Sequence, residues 1–241
     1  MSLEIKVLTL FPEMVQKVLE TSITGRAAKQ GLVNYSVTDI RDYAVNKHRT
    51  VDDYPYGGGA GMIMMAPPIV DAVEDQRESL DAPILLMSPQ GEKLDEELVL
   101  ELLQHSETAG ELILICGHYK GIDQRVVDIL KPREISIGDF VLTGGELPAL
   151  VIVDAIVRRI PGVLGDSDSA ESDSFTESLQ GKLECTWYTR PPEYRGHEVP
   201  EVLISGHHAN IDKWREEESK ERTQARRPDL LDSEDGKSQP K

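Results

Sequence analysis

Short apolar runs that alternate with stretches of helical period confine this chain to an α/β architecture. Residues 3–10 read as a buried strand closed by Phe11-Pro12, and Pro12 opens a pattern in which Met14, Val15, Val18 and Leu19 share one helical face. Residues 33–40 alternate as a second strand, and residues 84–87, 112–116 and 134–137 read as three more. Helical patterns follow each of these last three: Leu94, Leu98, Val99, Leu102 and Leu103, then residues 122–130, then Pro148 to about Arg159. A further helix begins at Pro67-Pro68. Strands alternating with helices predict a parallel sheet covered on both faces.

The same three strands end in loop-forming residues. These are Ser88-Pro89-Gln90-Gly91, Gly117-His118-Tyr119-Lys120-Gly121, and residues 137–145, which include Gly138, Gly144 and Gly145. Ligands of open α/β sheets bind beyond the carboxyl ends of the strands, and glycine lets them approach the backbone. Any one of these loops could merely turn the chain; three together point to a ligand. No G-x-G-x-x-G follows the first strand and no G-x-x-x-x-G-K-S/T is present, so phosphate is not the obvious group. Loops rich in glycine, with Leu142 and Pro148 and few cations, suit an adenine face held by backbone contacts. S-adenosylmethionine is such a molecule. Residues 41–61 form a long aperiodic stretch of Arg, His, Asp, Tyr and Gly, and a loop of that length is functional or disordered.

The chain's 241 residues can bury a real core, in one large domain or one domain with a small appendage. Its two cysteines, Cys116 and Cys185, are too few for a disulfide framework, and Cys116 reads as a buried thiol, which fits a reducing cytoplasm. The first apolar stretch carries Glu4 and Lys6, and no run reaches the ~18 residues of a membrane helix, so export and membrane insertion are not expected. After Pro161-Gly162 the composition turns to Gly, Asp, Ser and Glu. The expected organisation is a domain over 1–164, a linker over 165–178, a helical C-terminal domain over 179–230 and a disordered tail over 231–241. A net charge of −17 repels nucleic acid unless cations are gathered locally. Lys213, Arg215, Lys220, Arg222, Arg226 and Arg227 lie on one helical segment, and Arg41, Lys47, His48 and Arg49 form a second cluster. The acidic excess itself suggests adaptation to a salty interior, where screening weakens repulsion.

Several motifs carry a resemblance. Arg49-Thr50-Val51-Asp52-Asp53, Pro55-Tyr56-Gly57-Gly58-Gly59-Ala60-Gly61-Met62, Gly138-Asp139-Phe140-Val141-Leu142-Thr143-Gly144-Gly145-Glu146-Leu147-Pro148 and Ile160-Pro161-Gly162-Val163-Leu164-Gly165 resemble the bacterial tRNA (guanine-N1)-methyltransferase family. The resemblance runs from about residue 8 to 230. It implies a SPOUT fold with a deep trefoil knot, a default topology search having no place for knots. It further implies a cytoplasmic homodimer with sites at the subunit interface and transfer from S-adenosylmethionine to N1 of guanine 37 of tRNA. Gly117, Ile137, Gly138, Asp139, Phe140, Val141 and Leu142 match the cofactor-binding positions, with Ser88, Pro89, Gly144, Gly145 and Pro148 lining the same pocket.

N1 of neutral guanine carries a proton, so transfer needs a base, and charge develops on O6. Composition offers Asp166, Asp168, Glu171 and Asp173, each of which could be solvated linker charge. The resemblance selects Asp173, at the head of Asp173-Ser174-Phe175, as the base. It also selects Arg158 as the catalytic arginine, beside O6 or holding Asp173; a helix-ending surface cation is the plainer role. Tyr119 is expected to stack on the target base or border it, the alternative being an interface aromatic, and Gly59 falls among the substrate-binding positions. Lys120 departs from the family's usual glutamate in Gly-x-Tyr-Glu-Gly and is assigned no catalytic role. No histidine, cysteine and carboxylate set has metal-ligand spacing; magnesium remains an expected accessory without a site. Rival expectations are a knotted ribose 2′-O-methyltransferase, a non-catalytic RNA-binding module of the same fold and a nucleotide-binding regulator.

Overall fold

The computed structural model describes residues 2–165 and 172–231. The chain divides into two compact units between Gly165 and Asp166. The first contains β1 (Leu3–Thr9), α1 (Pro12–Leu19), α2 (Ser22–Lys29), β2 (Val33–Asp39), β3 (Asp52–Asp53), β4 (Ile63–Met64), α3 (Ala66–Gln76), β5 (Ile84–Lys93), α4 (Glu96–Ala109), β6 (Glu111–Ile115), α5 (Gln124–Leu130), β7 (Arg133–Ser136) and α6 (Glu146–Val157). A five-stranded sheet runs β2-β1-β6-β5-β7. Every pairing in it is parallel.

Period-two alternation in the central strands creates two cores. On one face Ile5, Val7, Leu85, Leu112 and Leu114 pack with Val15, Leu19, Leu98, Leu102 and Ile152 from the helices. On the other, Leu8, Leu86, Ile113 and Ile115 pack with Ile69, Val73 and Val126. The expected sheet covered on both faces is what forms.

Local chemistry sets the helix ends. Pro12 stands in the first turn of α1, where its missing N–H costs nothing. The Asp95 carboxylate accepts the Leu98 N–H at 2.9 Å to cap α4, and Gly110 ends that helix in the left-handed region at φ 76°. α6 starts at Glu146, so Pro148 falls in the first turn, where no intrahelical donor is lost.

Three expectations are corrected. Residues 88–91 are not a separate loop: β5 runs on to Lys93, with its register against β7 breaking between Met87 and Glu92. The Ser-Pro-Gln-Gly stretch is a bulge, and β7 pairs with the strand on both sides of it. Val15 and Leu19 are buried, but Met14 and Val18 remain exposed, so α1 points only part of its apolar face inward. The C-terminal unit is not purely helical: β8 (Glu193–Tyr194) and β9 (His197–Glu198) form a hairpin ahead of the helix His208–Arg226. Residues 166–171 and 232–241, which hold part of the expected linker and nearly all of the expected tail, lie outside the described residues. No described helix is long and apolar enough to cross a membrane.

Candidate functional site

The carboxyl ends of β6 and β7, and the bulge within the β5 strand that lies between them in the sheet, open onto one cavity of about 470 Å³. Its walls are the β5 bulge, the residues after β6 and the residues after β7. Of the residues expected at the cofactor, Ser88, Pro89, Gly117, Ile137, Gly138, Phe140, Val141, Leu142, Gly144, Gly145 and Pro148 line it, and Tyr119 lines it as well. Asp139 does not; its side chain is open to solvent and approaches Lys93 at 4.0 Å. Gly59 also lies outside the lining, beside Gly58, which belongs to it.

Backbone hydrogen bonds fix these loops to one another. The Gly145 N–H donates to the Gly117 carbonyl at 2.7 Å, joining the start of α6 to the end of β6. The Ser136 hydroxyl donates to the Gly138 carbonyl at 3.1 Å and accepts from the Gly138 N–H at 3.2 Å. The Leu94 N–H reaches the Ser136 carbonyl at 2.8 Å, holding the exit of β5 against β7.

Glycine is required at specific points. A Cβ on Gly145 would sit 2.8 Å from Cys116 Cα and Gly117 N, both backbone atoms that cannot yield. On Gly144 a Cβ would collide with the Glu146 carboxylate and His118 Nδ1. The glycines therefore let β6 and α6 approach closely, leaving the 470 Å³ of cavity to a ligand.

Behind this wall lies a cluster that composition did not single out. Glu146 is buried and accepts the Thr9 hydroxyl at 2.7 Å, while Thr9 Oγ1 itself accepts the Phe11 N–H at 2.9 Å. The position of Glu146 in the first turn of α6 places its charge at the positive end of the helix. Desolvation, helped by the Glu146 charge, pushes the buried Cys116 thiol well above its ordinary value, so Cys116 stays a neutral packing group. His118 bridges Phe11, at 5.0 Å between ring centroids, and Tyr119, in a T-shaped contact at 5.1 Å. The signal available in the sequence was an acid at the start of the most apolar helix, where a surface charge would be out of place.

Tyr119 holds an uncommon left-handed conformation at φ 60°. Burial and the adjacent Asp52 carboxylate, which accepts its hydroxyl, push its ionisation up, against a smaller opposing effect of Arg41. Tyr119 is still 42% exposed, so it stands at the rim as a neutral phenol.

Arg158 caps the C-terminal end of α6, in the first unit, half-buried beside Arg159, which pairs with Glu96 at 2.6 Å. Asp173 belongs to the second unit. Its carbonyl accepts the Thr176 hydroxyl at 2.7 Å, the Phe175 N–H donates to the Lys182 carbonyl at 2.8 Å, and Ser174 Oγ accepts the Glu184 N–H at 3.0 Å. Asp173 thus rides on an ordered turn tied to residues 182–184. Asp166, Asp168 and Glu171 lie outside the described residues. Among the described residues no group of three or more His, Cys, Asp or Glu could hold a metal ion.

On the helix His208–Arg226, Lys213 pairs with Glu217 at 3.6 Å and Arg215 with Asp212 at 3.8 Å, and Arg215 lies 5.2 Å over the Trp187 ring. Arg222 donates to the Thr186 hydroxyl at 3.1 Å. The expected basic face is therefore partly neutralised by its own helix.

A family profile described as tRNA (Guanine-1)-methyltransferase TrmD matches residues 3–233. The chain is 52% identical over 232 residues to a tRNA (guanine-N(1)-)-methyltransferase of Dehalococcoides mccartyi, covering 95% of this chain and 91% of that one. It is 51% identical to the protein of the same description from Halalkalibacterium halodurans, with 95% and 92% covered. With that of Moorella thermoacetica the identity is 53%, and 95% and 90% are covered.

Proposed function

We infer, from the premise that this chain belongs to the tRNA (guanine-N1)-methyltransferase family, that it transfers a methyl group from S-adenosylmethionine to N1 of guanine 37 of tRNA with Asp173 as the base. The observation that carries this reading is the convergence of three backbone-rich segments, the β5 bulge and the carboxyl ends of the flanking parallel strands β6 and β7, on one cavity.

The cavity suits the cofactor. Leu86, Ile137, Leu142 and Pro148 give it apolar walls, while backbone groups around Gly117 and Gly138 supply hydrogen bonds without charge. When bound, S-adenosylmethionine supplies an electrophilic methyl group on a sulfonium. The protein's task is to present guanine N1 to it in line, with the N1 proton removed. Asp173 takes that proton, its turn held by Thr176 and Ser174. Arg158 stabilises the charge that grows on O6, or fixes Asp173. Tyr119, neutral and half-exposed at the rim, borders the flipped base, and Gly59 and its neighbours pass along the substrate.

The knotted SPOUT arrangement is proposed on family membership, together with the tie from Gly145 to Gly117. A homodimer is proposed on an exposed apolar patch: Met14 and Val18 on α1, and Leu147 and Val151 on α6, helices that contact each other. Phe140 and Val141, 55% and 81% exposed, extend the apolar surface at the cavity mouth. The second unit is proposed to hold tRNA. Among the described residues no group of three or more His, Cys, Asp or Glu fits magnesium, and no step is assigned to it.

Labelled methyl transfer to tRNA transcripts with guanine or adenine at position 37 tests the reading. Transfer to the guanine transcript alone, at a base nitrogen, is expected. Labelling of a ribose 2′-oxygen would favour the related knotted activity, and no transfer would favour a binding module.

A further inference from the structure

We propose that Lys120 is a second charged contact of the reaction, its ammonium donating to an oxyanion in the cavity. The inference rests on the methyltransferase reading. Among the described residues that line the cavity, Lys120 is the one lysine, and no arginine accompanies it. In a chain with 43 acidic and 26 basic residues, no described carboxylate pairs with this ammonium. A cation left unpaired at the edge of an otherwise backbone-lined cavity is available to a ligand.

Its position is fixed by backbone. The left-handed Tyr119 turns the chain so that the Lys120 N–H donates to the Met62 carbonyl at 3.0 Å, and the Met64 N–H donates to the Gly121 carbonyl at 2.9 Å. This clasp holds the residues after β6 against those leading into β4. The Lys120 stem then lies over two glycines. Its Cβ and Cδ are 3.5 and 3.7 Å from where a Gly61 Cβ would stand, and Nζ is 3.8 Å from that of Gly59. Both glycines have φ in the left-handed half of the map, at 92° and 123°, so neither tolerates a side chain that would displace the lysine. The ammonium thereby stands at the edge of the cavity, against the 55–61 segment that lends Pro55 and Gly58 to its lining.

Two oxyanions of the reaction meet this chemistry: the carboxylate at the amino-acid end of the cofactor, and guanine O6 once N1 has lost its proton. Lys120→Met keeps the stem over Gly59 and Gly61 and removes only the charge; Lys120→Arg restores it. Titration calorimetry with S-adenosylmethionine and with its decarboxylated analogue, and single-turnover methyl transfer to tRNA across pH, separate the sources. If the cofactor carboxylate is the partner, Lys120→Met weakens S-adenosylmethionine about tenfold to a hundredfold and leaves the decarboxylated analogue unchanged. If O6 is the partner, cofactor affinity holds while the single-turnover rate falls by a similar factor and its pH profile moves upward. Lys120→Arg recovers most of either loss. A Lys120→Met enzyme that matches the wild type in affinity, rate and pH profile overturns the proposal while leaving the methyltransferase reading intact. Absence of methyl transfer by the wild type overturns both.

Discussion

Thr9, at the carboxyl end of β1, donates its hydroxyl to the buried carboxylate of Glu146 in the first turn of α6, 2.7 Å away. The bond ties an interior strand of the sheet to the helix that follows residues 137–145. It also satisfies an acid that is only 3% exposed. Replacing Thr9 with Val keeps the shape and removes the donor, leaving a desolvated carboxylate short of a partner. A loss of about 1–3 kcal/mol in urea unfolding is expected, with weaker S-adenosylmethionine binding. Unchanged stability in Thr9→Val would mean that the helix terminus alone carries the charge.

Gly145 and Gly121 both border the cavity, yet they differ sharply in the space around them. A Cβ on Gly145 meets backbone of Cys116 and Gly117 at 2.8 Å, and one on Gly121 meets nothing within 4 Å. Gly145→Ala should force β6 and α6 apart, cost more than about 2 kcal/mol and abolish cofactor binding. Gly121→Ala should keep the fold and bind S-adenosylmethionine within a fewfold of wild type. Calorimetry on the pair decides; equal behaviour would refute close packing as the reason for glycine at 145.

Much of this site was legible in the sequence because strand ends announce themselves: an apolar run followed by glycine is visible without coordinates. The β5 bulge was not. Ser88-Pro89-Gln90-Gly91 has the composition of a turn, and only pairing with β7 on both sides reveals that the strand continues. Met14 and Val18 repeat with Val15 and Leu19, and periodicity cannot tell which apolar residues a single chain leaves exposed. The hairpin around Arg195 and Gly196, both at positive φ, has no apolar alternation; its signal was a two-residue turn ending in glycine between Tyr194 and His197. Glu146 stands in a glycine-rich motif, but its burial is not visible in the sequence because it depends on a donor 137 residues away.

Asp123 caps α5, accepting the Arg125 N–H at 2.9 Å and pairing with its guanidinium at 2.6 Å. The Arg125 hydrogen bond holds the carboxyl below its ordinary value against a smaller effect of burial. A lowered folded value means that the contribution is fully present above the unfolded carboxylate range and is lost as pH falls through the folded one. Asp123→Ala should therefore cost about 1 kcal/mol at pH 7. The gap to wild type should narrow as pH drops below about 4, the unfolded carboxylate range. Urea midpoints measured down the acid limb check this, and a gap independent of pH would assign the cost to something other than the charged cap.

A net charge of −17 makes self-repulsion a standing cost to the compact state. Raising salt from about 0.1 M to 1 M shortens the screening length from about 10 Å to 3 Å, which relieves diffuse repulsion more than close pairs such as Lys6 with Glu78 and Glu111. The melting temperature should rise with salt over this range. A fall would show that paired charges outweigh the excess and would count against adaptation to a salty interior.

As the proposed base, Asp173 offers a way to separate binding from chemistry. Eleven of the proposed cofactor-binding residues line a cavity within the first unit, whereas Asp173 belongs to the second, on a turn whose backbone carbonyl accepts the Thr176 hydroxyl. Removing the carboxylate should therefore leave the cavity of the first unit standing. Asp173→Ala is expected to bind S-adenosylmethionine with wild-type affinity and to lose at least about a hundredfold in single-turnover methyl transfer, the scale of a general base. Asp173→Asn, which keeps the volume and cannot take a proton at neutral pH, should be as slow. Arg158→Ala should also be slow if it meets O6. A near-normal single-turnover rate in Asp173→Ala would remove the base from this residue, and the carboxylates at 166, 168 and 171 would then be the next to substitute.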